Sequence, residues 1–187
     1  SALLCEHLKA DYFKPIQTGS GEILDANTVA GLTNSKIHPN AYCLKVASSP
    51  QFAANQEGIN IDINTIELPK TENNLIVEGA GGILVPINDK HTTIDLIRHL
   101  NIPVIIVSKN ELGTVSSTLA TIEVLKFHKI EIAGVIMNGD YDPFDNVGSI
   151  EHFSGVEVLD KIKKFDKIDK ESIKNYKLSE KLLKKLL

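Results

Sequence analysis

Val104-Ile105-Ile106-Val107-Ser108, then Thr114 to His128, then Ile132-Ala133-Gly134-Val135-Ile136-Met137 is the stretch that decides the fold. The first and last segments are continuous apolar runs rich in β-branched residues, and the middle one has helical spacing. Continuous rather than alternating apolarity marks strands covered on both faces, as parallel sheets require. Parallel neighbours need a crossover, and Thr114 to His128 supplies one.

The same alternation extends outward in both directions. Thr92 to Leu100 reads as a helix; Thr92 and Asp95 have the spacing of a capping box, with Asp in place of the usual Glu. Leu75 to Glu78 is a short apolar strand that ends at an acid and runs into Gly79-Ala80-Gly81-Gly82. Asp11 to Ile16 is extended, because Pro15 keeps the residue before it out of the helical region. Ser1 to Ala10 is an amphipathic helix with Leu4, Cys5 and Leu8 on one side. Downstream come a helix near Asn146 to Ser154, a short strand at Val156 to Leu159, and a Lys-rich helical tail. Strands alternating with helices predict an α/β fold with a doubly wound, mostly parallel sheet flanked by helices in three layers. No repeat and no Pro/Gly/Ser-rich linker divides the chain, so residues 1–187 read as one α/β domain.

Composition excludes several classes. The chain has 187 residues, 42% of them apolar and 24% charged, which suits one globular domain and not a disordered or collagen-like chain. No apolar run approaches the about 18 residues of a membrane span, and no secretory leader is visible. Cys5 and Cys43 are the only cysteines. They argue for a reducing, cytoplasmic compartment and against a disulfide scaffold or a Cys-based zinc site. The net charge of −4 hides an asymmetry: Lys161 to Leu187 carries ten Lys and four acids. Such a tail could meet nucleic acid. The plainer reading is a solvated helical face, since Lys174, Lys177, Lys181, Lys184 and Lys185 recur opposite Ile173, Leu178, Leu182 and Leu186, with no interleaved aromatics.

In open α/β sheets, ligands bind beyond the carboxyl ends of the strands. Lys14, at the end of the first extended segment, is either a fixed cation for a phosphate or carboxylate, or a strand-end Lys reaching water. Glu78 followed by Gly79, Ala80, Gly81 and Gly82 suits a Mg²⁺ carboxylate beside a loop whose N–H groups approach phosphates. The plainer reading is a tight turn with a solvated acid. Asp25 sits before a helical stretch and reads as its N-cap. Asn138-Gly139 is a turn or an amide that reads a base edge. Gly113-Thr114-Val115-Ser116 opens a helix whose N–H groups could hold a carboxylate, or is capped by its own hydroxyls. The six His show no metal-ligand spacing, and no nucleophile motif is present.

Together these segments resemble the dethiobiotin synthetase family. The residues that carry the resemblance are Tyr12-Phe13-Lys14-Pro15-Ile16-Gln17-Thr18-Gly19, Asp25-Ala26, Ser49-Pro50 with Ala53-Ala54, and Val77-Glu78-Gly79-Ala80-Gly81-Gly82 through Val85-Pro86. Leu112-Gly113-Thr114 and Gly134-Val135-Ile136-Met137-Asn138-Gly139 follow in the same order. The resemblance implies a P-loop fold, a homodimer and three chemical steps. An amine of 7,8-diaminononanoate takes up CO₂ as a carbamate. The carbamate oxygen attacks the γ-phosphate of ATP and forms a mixed anhydride. The second amine closes the cyclic urea and expels phosphate. By the same resemblance Lys14 is the catalytic cation and Thr18 binds substrate. Asp25 and Glu78 hold Mg²⁺. Asp25, Glu78, Gly79, Ala80 and Gly81 contact nucleotide, and Asn138 and Gly139 read adenine. Gly113, Thr114, Val115 and Ser116, from the second subunit, receive the substrate carboxylate.

Three departures accompany it. The family's G-x-x-x-x-G-K-[ST] loop does not occur. It is expected before Ser1, so roughly 20 residues with the first strand and the P-loop are inferred to be missing. Gln51 stands where many relatives have His, and Ser116-Ser117 where Asn-His is common. Asp160-Lys161-Ile162-Lys163 replaces a frequent G-x-I-P at the adenine edge. The alternatives are a relative acting on another substrate, such as a corrinoid-amidating domain, and a non-catalytic or regulatory remnant of a P-loop ATPase. The former usually carries a catalytic Cys that neither Cys5 nor Cys43 is placed to supply.

Overall fold

Every strand pairing in the computed structural model, which describes residues 1–21, 24–140 and 145–187, is parallel. In chain order the elements are α1 (Ala2–His7), β1 (Asp11–Phe13), β2 (Ile16–Gln17), α2 (Asp25–Leu32), β3 (Ile37–His38), β4 (Tyr42–Cys43), α3 (Pro50–Glu57), a 3₁₀ turn (Ile63–Thr65), β5 (Leu75–Val77), and α4 (Thr93–Leu100). They continue with β6 (Val104–Lys109), α5 (Thr114–Phe127), β7 (Ile132–Asn138), α6 (Asn146–Ser154), β8 (Val158–Ile162), α7 (Lys170–Asn175) and α8 (Glu180–Leu186). Parallel sheets flanked by helices are the predicted α/β class.

The chain divides into two compact units. The first comprises Ser1–Asn101 and Ile168–Tyr176. Its sheets run β3-β1-β5 and β2-β4. Strand alternation sends Phe13 to one face of β1, with Leu44, Ala53, Ile61, Ile66, Ile87 and Leu96, and Tyr12 to the other, with Cys5 and Val29. Both faces are therefore apolar, as a parallel strand requires. Burial pushes the Cys5 thiol up to about 11, so it packs as a neutral group. Asp11 is buried too, and its carboxylate is satisfied in full. Oδ2 accepts from His38 Nε2 at 2.8 Å and Thr71 Oγ1 at 2.7 Å, and Oδ1 from Asn73 Nδ2 at 3.0 Å. A buried carboxylate is tolerated only with such partners.

The second unit comprises Ile102–Lys167 and Lys177–Leu187, with sheet order β6-β7-β8. The central strand β7 buries Gly134, Val135, Ile136 and Met137 in sequence.

Four expectations need adjustment. The segment from Asp11 to Ile16 splits into β1 and β2, since Pro15 offers no N–H; its carbonyl instead accepts from Ala41 and Tyr42. β6 is not buried throughout. It is the edge strand of its sheet, only Ile106 and Ser108 are buried, and Val107 is 62% exposed. The strand expected at Val156 to Leu159 starts at Val158, because Val156 is still used in leaving α6, its N–H donating to Ser154 Oγ. The Lys-rich tail is two helices. Ser179 starts the second by accepting from Leu182 N–H, while its own N–H donates to Asp160 Oδ2. Ile173 is buried in α7, Leu178 and Leu182 are buried at α8, and Lys174, Lys177, Lys181, Lys184 and Lys185 are exposed.

Candidate active site

The register Phe13↔Val77 fixes the geometry. Because β1 and β5 run side by side and end at the same level, the next residues, Lys14 and Glu78, leave them together, and Glu78 N–H donates to Phe13 O at 2.9 Å. Lys14 Nζ lies 3.4 Å from Glu78 Oε1 and also donates to Asp25 Oδ2. Lys14 is 8% exposed, whereas the two acids are half-buried. The ammonium is thus held in a fixed place with its charge compensated, and the acids keep faces open to ligand.

Each member has a local reason for its position. Asn40 Nδ2 donates to Lys14 O at 2.6 Å and pins the chain at the gap between β1 and β2. Gln17, itself buried, accepts the Asp25 N–H at 3.3 Å and donates to Thr18 O at 2.6 Å. Asp25 is therefore not the N-cap of α2. Leu24 occupies the cap without a side-chain bond, Gln17 takes over capping, and the Asp25 carboxylate is released toward Lys14. Ser1 Oγ donates to the second oxygen of Glu78. Gln17 and Asn40 were not singled out in the sequence; the polar residue inside K-P-x-x-[ST]-G was the available signal for Gln17.

Past Glu78 the chain turns through Gly79, Ala80 and Gly81. Gly81 has φ +82°, and a Cβ there would meet Val85 Cγ2 at 3.0 Å. The N–H groups of Gly79, Ala80, Gly81 and Gly82 donate to no acceptor among the described residues. An exposed row of free N–H groups beside a cation and two carboxylates is suited to phosphate oxygens.

The remaining candidates lie in the second unit, at the carboxyl ends of its strands. Asn138 ends β7 with an exposed side chain, and Gly139 (φ +112°) follows, its N–H bonded to Ile162 O at 2.8 Å. Buried Asn110 fixes this corner. Its N–H donates to Asn138 O at 2.7 Å, its Nδ2 to Gly139 O at 3.4 Å, and its Oδ1 accepts from Asn146 Nδ2 at 2.9 Å. At the start of α5, Thr114 N–H is taken by Glu111 O, while the N–H groups of Val115 and Ser116 find no acceptor among the described residues. Gln51, the His replacement, binds Asp89 Oδ1 at 2.7 Å, tying α3 to the loop after Pro86. Asp160 accepts from Lys161 and Ser179 N–H groups, a structural engagement in β8.

Among the described residues no three His, Cys, Asp or Glu side chains form a metal cluster. Asp25 and Glu78 offer two hard carboxylate oxygens, which fits an ion that takes one or two carboxylates and completes its shell with water and phosphate.

Residues 1–172 match the family model described as an AAA domain. The ATP-dependent dethiobiotin synthetase of Paramagnetospirillum magneticum is 46% identical over 163 residues, covering 87% of this chain and 79% of the relative. That of Lawsonia intracellularis is 43% identical over 182 residues, 97% of this chain and 89% of the relative. That of Cytophaga hutchinsonii is 42% identical over 180 residues, 94% and 86%. By these identities and coverages, the chain belongs to the ATP-dependent dethiobiotin synthetases.

Proposed function

We propose that this chain catalyses the ATP-dependent carboxylation and ring closure of 7,8-diaminononanoate to dethiobiotin, a cyclo-ligase step of biotin biosynthesis. The observation that carries the reading is the buried Lys14 ammonium shared by Asp25 and Glu78 beside the unpartnered N–H groups of Gly79 to Gly82. Each chemical step gathers negative charge on carbamate and phosphoryl oxygens, and such steps are helped chiefly by fixed cations and donors.

Lys14 holds the carbamate and γ-phosphoryl oxygens and offsets the charge that grows between them. Asp25 and Glu78 keep the ammonium aimed, and would hold Mg²⁺. When bound with ATP, that ion neutralises phosphate charge. The Gly79 to Gly81 backbone donates to nucleotide oxygens, and Thr18 donates to the substrate. Asn138 and Gly139, braced by Asn110, read the adenine edge. In a cytoplasmic homodimer, the start of α5 in a second copy takes the substrate carboxylate. A single family model spans both compact units, which supports their working as one P-loop-type domain.

The test is ATP hydrolysis by the full-length protein with diaminononanoate and bicarbonate supplied separately and together. Turnover that needs both, with dethiobiotin identified by mass spectrometry, supports the reading. Hydrolysis indifferent to both rejects it.

A further inference from the structure

Ser108, near the end of β6, meets two hydroxyls of α5. Its Oγ lies 2.7 Å from Thr114 Oγ1 and 2.5 Å from Thr118 Oγ1. The three residues are 7%, 4% and 2% exposed, respectively. Three hydroxyls carry three protons, and each hydrogen bond uses one. Two bonds join the cluster, so one proton is left over however the hydroxyls rotate. No other acceptor among the described residues takes it. A buried donor without an acceptor is costly, and natural structures seldom keep one without a reason.

The cluster lines a cavity of about 390 Å³ that also touches Ile106, Val107, Leu112 and Gly113. Gly113 and Thr114, the residues just before the Val115 and Ser116 N–H groups that find no acceptor among the described residues, lie on its wall. Lys109, the one cation on the wall, is paired with Glu111 at 2.5 Å. Neutral donors at a helix start, without an unpaired cation, suit a single negative charge better than a phosphate, which draws Arg or Lys. Ile106, Val107 and Leu112 give this otherwise polar wall an apolar side that suits an alkyl chain.

We propose that Ser108 and Thr118 are positioning residues for an aliphatic carboxylate. Thr118 donates to Ser108, Ser108 donates to Thr114, and Thr114 passes the surplus proton's hydrogen bond to the carboxylate oxygen, alongside the Val115 and Ser116 N–H groups. Hydrogen bonds in such a chain polarise one another, so Ser108 both aims and strengthens the Thr114 donor. The proposal rests on the dethiobiotin synthetase reading, whose substrate ends in such a group.

The experiment is calorimetric titration of the full chain with nonanoate, and with nonylamine as a control that has the same alkyl chain but a cationic head with no acceptor, for wild type, Ser108→Ala, Ser108→Thr, Thr114→Val and the Ser108→Ala/Thr114→Val double variant. Thr114→Ser serves as the fold-preserving counterpart of Thr114→Val. Nonanoate affinity is expected to fall about tenfold in Thr114→Val and severalfold in Ser108→Ala, and to recover in Ser108→Thr and Thr114→Ser. The double variant is expected to match Thr114→Val alone, because Ser108 acts through Thr114. Nonylamine binding is expected to stay constant throughout. Additive losses, equal losses for the amine, or no nonanoate binding by wild type each overturn the proposal. Loss of diaminononanoate turnover with this pattern intact would remove the enzymatic reading alone.

Discussion

Lys14 and Glu78 stand level with each other at the ends of two adjacent parallel strands, with Lys14 Nζ 3.4 Å from Glu78 Oε1. The pairing follows from register: Phe13 opposes Val77, so the residue after each strand emerges on the same edge. A one-residue slip would turn either side chain to the other face of the sheet. The placement of the two charged groups is therefore set by backbone hydrogen bonds, the kind of preorganisation that spares a site from rearranging during reaction.

Lys14→Ala is expected to lower the rate of dethiobiotin formation by about a hundredfold or more, since a fixed donor at a developing anion is worth that much. The fold should persist: Asp25 and Glu78 are half-buried and can take water in place of the ammonium. Steady-state rates beside a circular-dichroism melt separate the two effects. Wild-type turnover in the variant would remove Lys14 from the chemistry.

Glu78→Gln tests the metal. The amide keeps an oxygen that can accept from Ser1 Oγ but gives up the charge that attracts Mg²⁺. The Mg²⁺ concentration giving half-maximal rate is expected to rise at least about tenfold, with saturating Mg²⁺ restoring part of the activity. An unchanged Mg²⁺ titration would mean that Glu78 serves only to hold Lys14.

What sequence could show divides along physical lines. The central strand β7 was legible because burial on both faces leaves an unbroken apolar run. Lys14 and Glu78 were legible because a charge closing such a run is conspicuous. The two-residue strands β3 and β4 carry no period, and their pairing is set by distant neighbours. α3 was missed for a related reason: Pro50, Ala53 and Ala54 bury little apolar bulk. Gln17, Asn40 and Asn110 act through partners 8 to 36 residues away, and no spacing rule records such contacts. The break between α7 and α8 was hidden because the Lys and Leu spacing continues across it; only Ser179 marked a new start.

Gly134→Ala probes the packing of β7 on β8. A Cβ at this position would lie 2.5 Å from Leu159 Cγ and 3.0 Å from Glu157 O. Leu159 is 2% exposed and has no room to retreat, and the carbonyl belongs to the strand pairing through Val135 N–H. Overpacking of this kind costs about 1–3 kcal/mol. Thermal denaturation should show a clearly lower Tm, partly regained when Leu159→Ala is added. A Tm unchanged in Gly134→Ala would mean that β8 is free to shift.

Asp11 makes stability depend on acid. Burial alone would raise its carboxyl, but hydrogen bonds from Asn73, Thr71 and His38 outweigh it and hold the group at about 2, below its ordinary 3.8. A group depressed in the folded state stabilises fully above its unfolded value and loses that contribution as pH falls through the folded one. The difference corresponds to about 2 kcal/mol, undiminished by solvent because the side chain is 2% exposed. Urea denaturation from pH 6 to pH 2 is expected to show wild type losing stability chiefly below pH 4. Asp11→Asn has no carboxyl to protonate, so it should start lower at pH 6 and fall less over the same interval. Parallel slopes for the two proteins would show that Asp11 is not held below its ordinary value, and that the His38, Thr71 and Asn73 contacts contribute no preference for its charged form.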